Sequence, residues 1–322
     1  MLYAIKQTAA SAVDADQLHA FVRCTAERRR SIDDVYWLKE NAELLRILVC
    51  TETDIGAGSL GLYEAFYNSA ESRMQFFPQY YRFILSICLD LERLGINGPV
   101  GRQLQALVRR RRLVEGELSD LQRLEARWLL GGASTPDRPA EDLLHRMRLF
   151  GSNAAFFAIP NRKAAFELTH LVFYASDYGR VQPHWLKCVL PALHNIGIVA
   201  LLDDDKDLLA EVIVSLRYCG APVPFYWSQV AGGARQSLEG APHGTHPVGS
   251  DLFHEALTLG WAESVNSGLF ALPKLDDDST VFVRPGEHAK PSALHALSVL
   301  LWRQGDRRSD CWDAFSARDG AA

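Results

Sequence analysis

The segment FELTHLVFYASDYGR, residues 166–180, concentrates the groups most able to do chemistry. On a helix, Glu167 and His170 lie three positions apart, Tyr174 four beyond His170 and Asp177 three beyond that, so His170, Tyr174 and Asp177 share a face. Leu171, Val172 and Phe173 predict that this helix is largely buried. Inside a core, a histidine and a carboxylate are costly unless they are paired, hydrogen-bonded or bound to a metal. Two roles follow: a satisfied polar network that closes the helix, or metal ligands and acid/base groups facing a cavity. ExxH is also the spacing of di-iron carboxylate bundles, which need two such motifs and two further glutamates. The sequence offers one such motif, which points instead to a mononuclear iron or zinc site needing three ligands from separate helices.

A second cluster stands in DDDKDLLAEVIVSLRYCG, residues 203–220. Asp203, Asp204 and Asp207 have the DDxxD spacing with which terpene synthases and prenyltransferases hold magnesium and a diphosphate, although no NSE-type second motif accompanies them. The simpler role for these acids is a helix cap and first turn, favoured by the helix dipole. Asp207 and Glu211 are four apart and share a face, with Glu211 set between Ala210 and Val212. His254, in SDLFHEALTLGWAES, has Leu252, Phe253, Leu257 and Leu259 around it and is a candidate ligand or a hydrogen-bonded core histidine. His243 and His246 have a metal-compatible gap on a loop. His184 and His194 are weaker candidates. Nowhere do GxGxxG after a strand, GxxxxGK[ST], GxSxG or HExxH occur.

The elements that must position these groups are helices. From residue 15 to about 130, apolar residues recur at three and four positions, as in Val35, Leu38, Ala42, Leu45 and Val49. Ser31, followed by Asp34, is placed to cap that helix. Pro78 opens and Gly95 closes another, and a further one spans about 100–113, where Arg109 to Arg112 form a solvated surface or an anion-binding edge. The turn-rich stretch 131–139 divides an N-terminal helical region, 1–135, from a C-terminal one, 136–322, that carries the candidate site. Helices follow at about 140–150, 162–178, 183–202, 205–219, 251–266 and 291–303, separated by a long loop over 232–250 and a possible isolated strand in STVFVRPG. The last residues look like a frayed tail. Paired helices ending in glycine predict an all-α fold, an α/α helical repeat or toroid-like array packed as one body.

With 48% hydrophobic and 23% charged residues, the chain has the balance of an ordinary folded protein. A net charge of −5 argues against nucleic acid as a partner. No long apolar run predicts a membrane span or an export segment, so a cytoplasmic location is expected. The six scattered cysteines, without a CxxC pair, are expected to be reduced and buried.

Three pieces, ELTHLVFYASDYG, DLLAEVIVSLRYCG and DLFHEALTLGWA, together resemble a bacterial family of uncharacterised function with THxxFYxTDFG-like, DLLAEL-like and YHTTL-like helices. Ser176 and Tyr178 stand in for a threonine and a phenylalanine of that pattern, and Phe253, Glu255 and Ala256 for its tyrosine and two threonines. The resemblance implies a helical-repeat or toroid protein with polar residues meeting at a central cavity, and singles out His170, Asp177, Asp207, Glu211 and His254. The expectation is a metal-dependent enzyme of bacterial specialised metabolism acting on a small-molecule or peptide substrate. In it His170, Asp177 and Glu211 are catalytic, and Glu167, His170, Asp207, Glu211 and His254 bind iron or zinc. Its rivals are a non-catalytic scaffold for a peptide, carrier protein or partner enzyme, and a magnesium-dependent prenyl-diphosphate enzyme.

Overall fold

The computed structural model describes residues 15–131, 138–242, 251–276, 278–286 and 292–304, together with Gly244. The fold is all-α. Its helices are α1 (Ala15–Arg23), α2 (Val35–Cys50), α3 (Gly56–Gly61), α4 (Glu64–Phe76), α5 (Tyr81–Leu94), α6 (Val100–Arg110) and α7 (Asp120–Leu129), followed by α8 (Arg138–Ser152), α9 (Arg162–Ala175), α10 (Leu190–Leu202), α11 (Lys206–Tyr218), α12 (Phe225–Gln236), α13 (Phe253–Ser267) and α14 (Ala293–Gln304). Two strands, β1 (Glu239–Pro242) and β2 (Ser279–Val283), pair antiparallel with Glu239 opposite Val283. The strand expected near residue 280 is therefore not isolated, and part of the expected loop 232–250 is the end of α12 and β1. His243, His246, Cys311 and the C-terminal tail lie outside the described residues, as does most of the turn-rich stretch 131–139.

The helix at the centre is α11. Asp205 caps it by accepting a hydrogen bond from the Leu208 amide, and of its residues only Lys206 and Arg217 escape burial. A helix apolar on all sides must be surrounded, and α9, α10, α12 and α13 all pack against it. In the N-terminal half, α2 lies against α5, and α5 against α6 and α7. Neighbours in sequence thus pair in part, while α2 with α5 and α11 with α13 pair across intervening elements. One hydrophobic cluster runs through both halves, from Leu18 to Phe282.

Polar seams join the halves. Arg29, almost wholly buried, pairs with Glu40 of α2 and with Asp251 just before α13, and its guanidinium lies 4.2 Å over the Phe253 ring. Asp251 also accepts the Phe282 amide, which ties β2 to the start of α13. This seam aligns α2 beside α13, a pairing on which the site depends.

Several local expectations change. The cap of α2 is Asp34, whose carboxylate accepts from the Tyr36 amide; Ser31 accepts from Asp33 one turn earlier. Helix α6 ends at Arg110, because Arg112 takes a left-handed φ of 56°, so the arginine run is not one helical surface. Its members meet carbonyls and carboxylates instead: Arg109 the Leu130 carbonyl, Arg111 that of Gln75, and Arg112 the side chain of Glu115. Cys24, Cys88 and Cys219 are buried and free, whereas Cys188 is exposed. The stretch His184–Leu202, a 3₁₀ turn continued by α10, is long and apolar enough to cross a membrane by length and composition, with mean hydropathy 1.6. Core helices pass the same test, and Ala192, Leu193, Ile196 and Ala200 face the protein interior.

The seat of the Trp227 ring of α12 against α10 requires Gly197. A Cβ there would lie 2.2 Å from the Trp227 ring, and that ring is held by the core. Gly197→Ala is expected to cost about 1–3 kcal/mol, the range for overpacking a core. Chemical denaturation checks this, and an unchanged midpoint would show that the two helices have room to part.

Candidate metal centre

Four helices bring ionisable groups to one place. Asp207 and Glu211, a turn apart on α11, face α13, where His254 stands in the first turn. One donor atom from each of these three residues lies within 4.8 Å of the others. Donors about 2.1 Å from a tetrahedral ion are about 3.4 Å apart, so this group is more open than a bound cation would require and would have to draw together on one. From α9, His170 approaches Glu211 Oε2 to 3.8 Å. From α2, Glu43 approaches His254 Nε2 to 3.6 Å.

The surrounding hydrogen bonds fix how each group is presented. His170 Nδ1 sits 2.7 Å from the Phe166 carbonyl. A carbonyl can only accept, so Nδ1 carries a proton; Nδ1 is also the nitrogen nearest Glu211, and Nε2 makes no hydrogen bond among the described residues. Glu211 is 2% exposed, and the Thr169 hydroxyl donates to it. Asp207 accepts from His254 Nδ1 at 2.8 Å and from Thr258 at 2.9 Å, while Arg162 reaches its second oxygen at 3.3 Å.

Charge follows from this geometry. Burial would lower the His254 pKa, but the carboxylates of Glu43 and Asp207 raise it to about 10. Burial would raise Asp207, but His254, by charge and hydrogen bond, with Thr258 and Arg162, holds its carboxyl below the usual range. Burial pushes Glu211 above the ordinary glutamate range against the pull of His170, and the neighbouring Asp207 adds to the rise. Without metal, a proton on His254 thus compensates the cluster of carboxylates.

Two cavities meet at these residues, of about 590 and 560 Å³, both lined by Lys39, Glu43, Phe166, His170, Glu211 and His254. The larger runs inward past an aromatic wall that includes Trp128, Tyr174, Tyr178 and Trp261. Glu167 lines it as well, beside the group rather than within it.

Asp177 is not brought to the centre. Helix α9 ends at Ala175, and Asp177, Tyr178 and Gly179 follow with φ of 47°, 52° and 85°, so Asp177 leaves the face it would share with His170 on a continued helix. There it accepts from Trp128 Nε1 at 2.8 Å and positions that ring in the cavity wall. The turn doubles back on Tyr218: a Cβ at Gly179 would lie 2.4 Å from its ring. The DDxxD acids also diverge. Asp203 accepts from Ser292, Asp204 meets Lys206 at 2.8 Å, and Asp207 turns inward. His184 is exposed, and His194 Nδ1 meets the Leu190 carbonyl at 2.8 Å beside Trp227.

Residues not foreseen complete the site. Glu43 follows Lys39 by four positions, the spacing of an ordinary surface pair, so nothing in the local pattern marks it. Thr169 and Thr258 are hydroxyls on buried helix faces beside His170 and Leu257, a signal visible only once the partner helices are known.

The model of one family, Domain of unknown function (DUF6902), matches residues 2–319. The chain belongs to this family. As a DUF6902 member it falls in an uncharacterised family, as the three helical pieces led one to expect, with the match extending over both halves of the chain. No curated protein and no solved structure matches it.

His254 in metal-free protein of this DUF6902 chain should stay protonated through neutrality, its Cε1 proton signal titrating near 10. Its pKa is raised on folding from 6.5, so the resulting stability is complete below about pH 6.5 and is lost as pH climbs through 10. Thermal melts in chelator should show that loss, and Glu43→Gln should shrink it. Equal loss in both proteins would mean that Glu43 does not act on His254.

Proposed function

We propose that this protein is a metal-dependent enzyme whose centre is Asp207, Glu211 and His254, with His170 and Glu43 at its edge, acting on a small molecule held in the adjoining cavity. The observation that carries this is the convergence of those three donors within 4.8 Å on two buried helices beside a cavity of about 590 Å³. Mixed carboxylate and imidazole donors suit iron, zinc or manganese. A bound divalent ion would supply Lewis acidity or a redox centre.

The chain's own residues have separable tasks. Asp207 and Glu211 neutralise the ion, and Thr258 and Thr169 hold them in place. His170, with its free Nε2, supplies a further ligand or moves a proton at the cavity face. Glu43 is the base nearest to His254 Nε2, the ring nitrogen that Asp207 does not hold. Glu167, on the same wall as His170, is available to a substrate rather than to the ion. The setting in bacterial specialised metabolism, which rests on the family resemblance, and the cytoplasmic location expected from the sequence pattern belong to this same proposal.

The prenyl-diphosphate alternative needs Asp203, Asp204 and Asp207 to act on one magnesium cluster, and their divergent hydrogen bonds do not support it. A purely structural role for the network separates from an enzymatic one by its response to substitution, since functional groups are often held at the expense of stability.

Metal analysis of protein purified anaerobically is expected to give about one equivalent of iron, zinc or manganese per chain. Glu211→Gln and His254→Gln should each weaken binding at least about tenfold; in the metal-free protein Glu211→Gln should leave the melting temperature unchanged or higher, whereas His254→Gln should lower it, because the carboxylates lose the proton that compensates them. Binding should release a proton, read by calorimetry in buffers of different ionisation heat, because His254 must give its own up. No stoichiometric metal, together with no shift in melting on adding any of these ions, would remove the proposal.

A further inference from the structure

Beyond the metal centre, the larger cavity is lined by a buried guanidinium whose hydrogen-bonding capacity is only partly used among the described residues. Arg46, 4% exposed, is the deepest cation lining it. Its Nη2 pairs with Asp90 at 2.8 Å, and its guanidinium lies 4.3 Å over Trp128 and 5.2 Å over Tyr178. Among the described residues, the Arg46 Nε and Nη1 atoms have no hydrogen-bond partner. Asp90 is shared with a second guanidinium, that of Arg93, at 3.6 Å. The hydroxyls of Tyr174 and Tyr178, which also line this cavity, make no hydrogen bond among the described residues.

The other charges nearby are already engaged. Arg82 is held by Glu117 and Glu125, which removes both as acceptors. A buried donor without an acceptor is expensive; that condition holds for the Arg46 guanidinium, and the half-buried Tyr174 and Tyr178 place their hydroxyls along the same cavity. What satisfies them together is an anion with several acceptor oxygens. The walls add a second requirement, because Trp128, Tyr178 and Trp261 present ring faces and edges that favour a flat apolar body. Helix α2 sets the spacing. Glu43, beside His254, and Arg46 are three residues apart, about 4.5 Å along the axis. On α9, His170 and Tyr174 are separated by about 6 Å in the same sense.

We propose that the cavity takes an organic acid with a ring-bearing apolar body, its carboxylate on Arg46, Tyr174 and Tyr178 and its far end presented to the Asp207, Glu211 and His254 group. This assignment names the substrate class for the site proposed above and rests on that reading only for the role of the far end. The carboxylate anchor, on Arg46 with Tyr174 and Tyr178, stands without it.

The test uses 2-naphthoate and its neutral isostere 2-naphthamide, titrated calorimetrically into the full chain, both stripped of metal and with zinc added. In both states the acid should bind at least about tenfold more tightly than the amide, the preference expected of charge-assisted bonds to a buried guanidinium. Arg46→Lys keeps a cation beside Asp90 and should reduce the preference to near one. Tyr174→Phe, which keeps the ring, should reduce it several-fold, and serves if the Arg46 variant does not fold. Equal binding of acid and amide, no binding of either, or a preference that survives both substitutions would overturn the anchor. A preference seen only with zinc and untouched by either substitution would put the carboxylate on the metal and overturn this inference while sparing the metal centre. A preference that depends on Arg46 in a chain that binds no zinc would keep the anchor and remove the metal centre.

Discussion

Glu211 is the constraint from which the rest follows. A carboxylate in the middle of an apolar helix, packed on all sides, is tolerated only if something compensates it. Here the compensation comes from three directions at once: a hydroxyl from α9, a histidine from α9, and on α13 a histidine that shares Asp207 with it. All of these partners lie on elements other than α11, so the group exists only in the assembled fold. That is also why α11 lies at the centre, since a helix carrying inward carboxylates at two turns must have neighbours able to answer both.

The same logic extends to the periphery. The Arg29 seam sets α2 against α13 and thereby brings Glu43 to His254. The left-handed turn after α9 turns Asp177 onto Trp128 and Tyr178 onto the cavity. Two consecutive non-glycine residues with positive φ cost roughly 1–2 kcal/mol each, and the fold accepts them at the point where the aromatic wall is built. A network satisfied by a proton on His254 in the absence of metal is a network in which a cation can take that proton's place.

Much of the fold could be read from the sequence because helices advertise themselves locally. Apolar spacing located α2, α5, α9, α11 and α13, and glycine and proline marked several ends. Boundaries moved where a side chain rather than a pattern decided them, as with Asp34 in place of Ser31, and with Ser176, whose hydroxyl accepts the Gly179 amide and closes α9 early. Strand pairing between β1 and β2 joins residues about forty apart, and no local period reports that. In the site, a polar residue stranded among apolar ones pointed to Glu211 and His170. The same signal stands in ELLRILVC and ICLDLERL, where Arg46 and Asp90 form a buried pair. Glu43 gave no such signal, because its neighbours on α2 look like a solvent-facing turn and its partner is more than two hundred residues away.

The account depends on a cation being held by α11 and α13 together. Crystals grown with iron, zinc or manganese and measured above and below the metal's absorption edge test it most directly. The account predicts one anomalous peak within coordinating distance, about 2.0–2.3 Å, of Asp207, Glu211 and His254. Strong anomalous peaks confined to surface carboxylates, with the hydrogen bond between His254 and Asp207 intact, would contradict it.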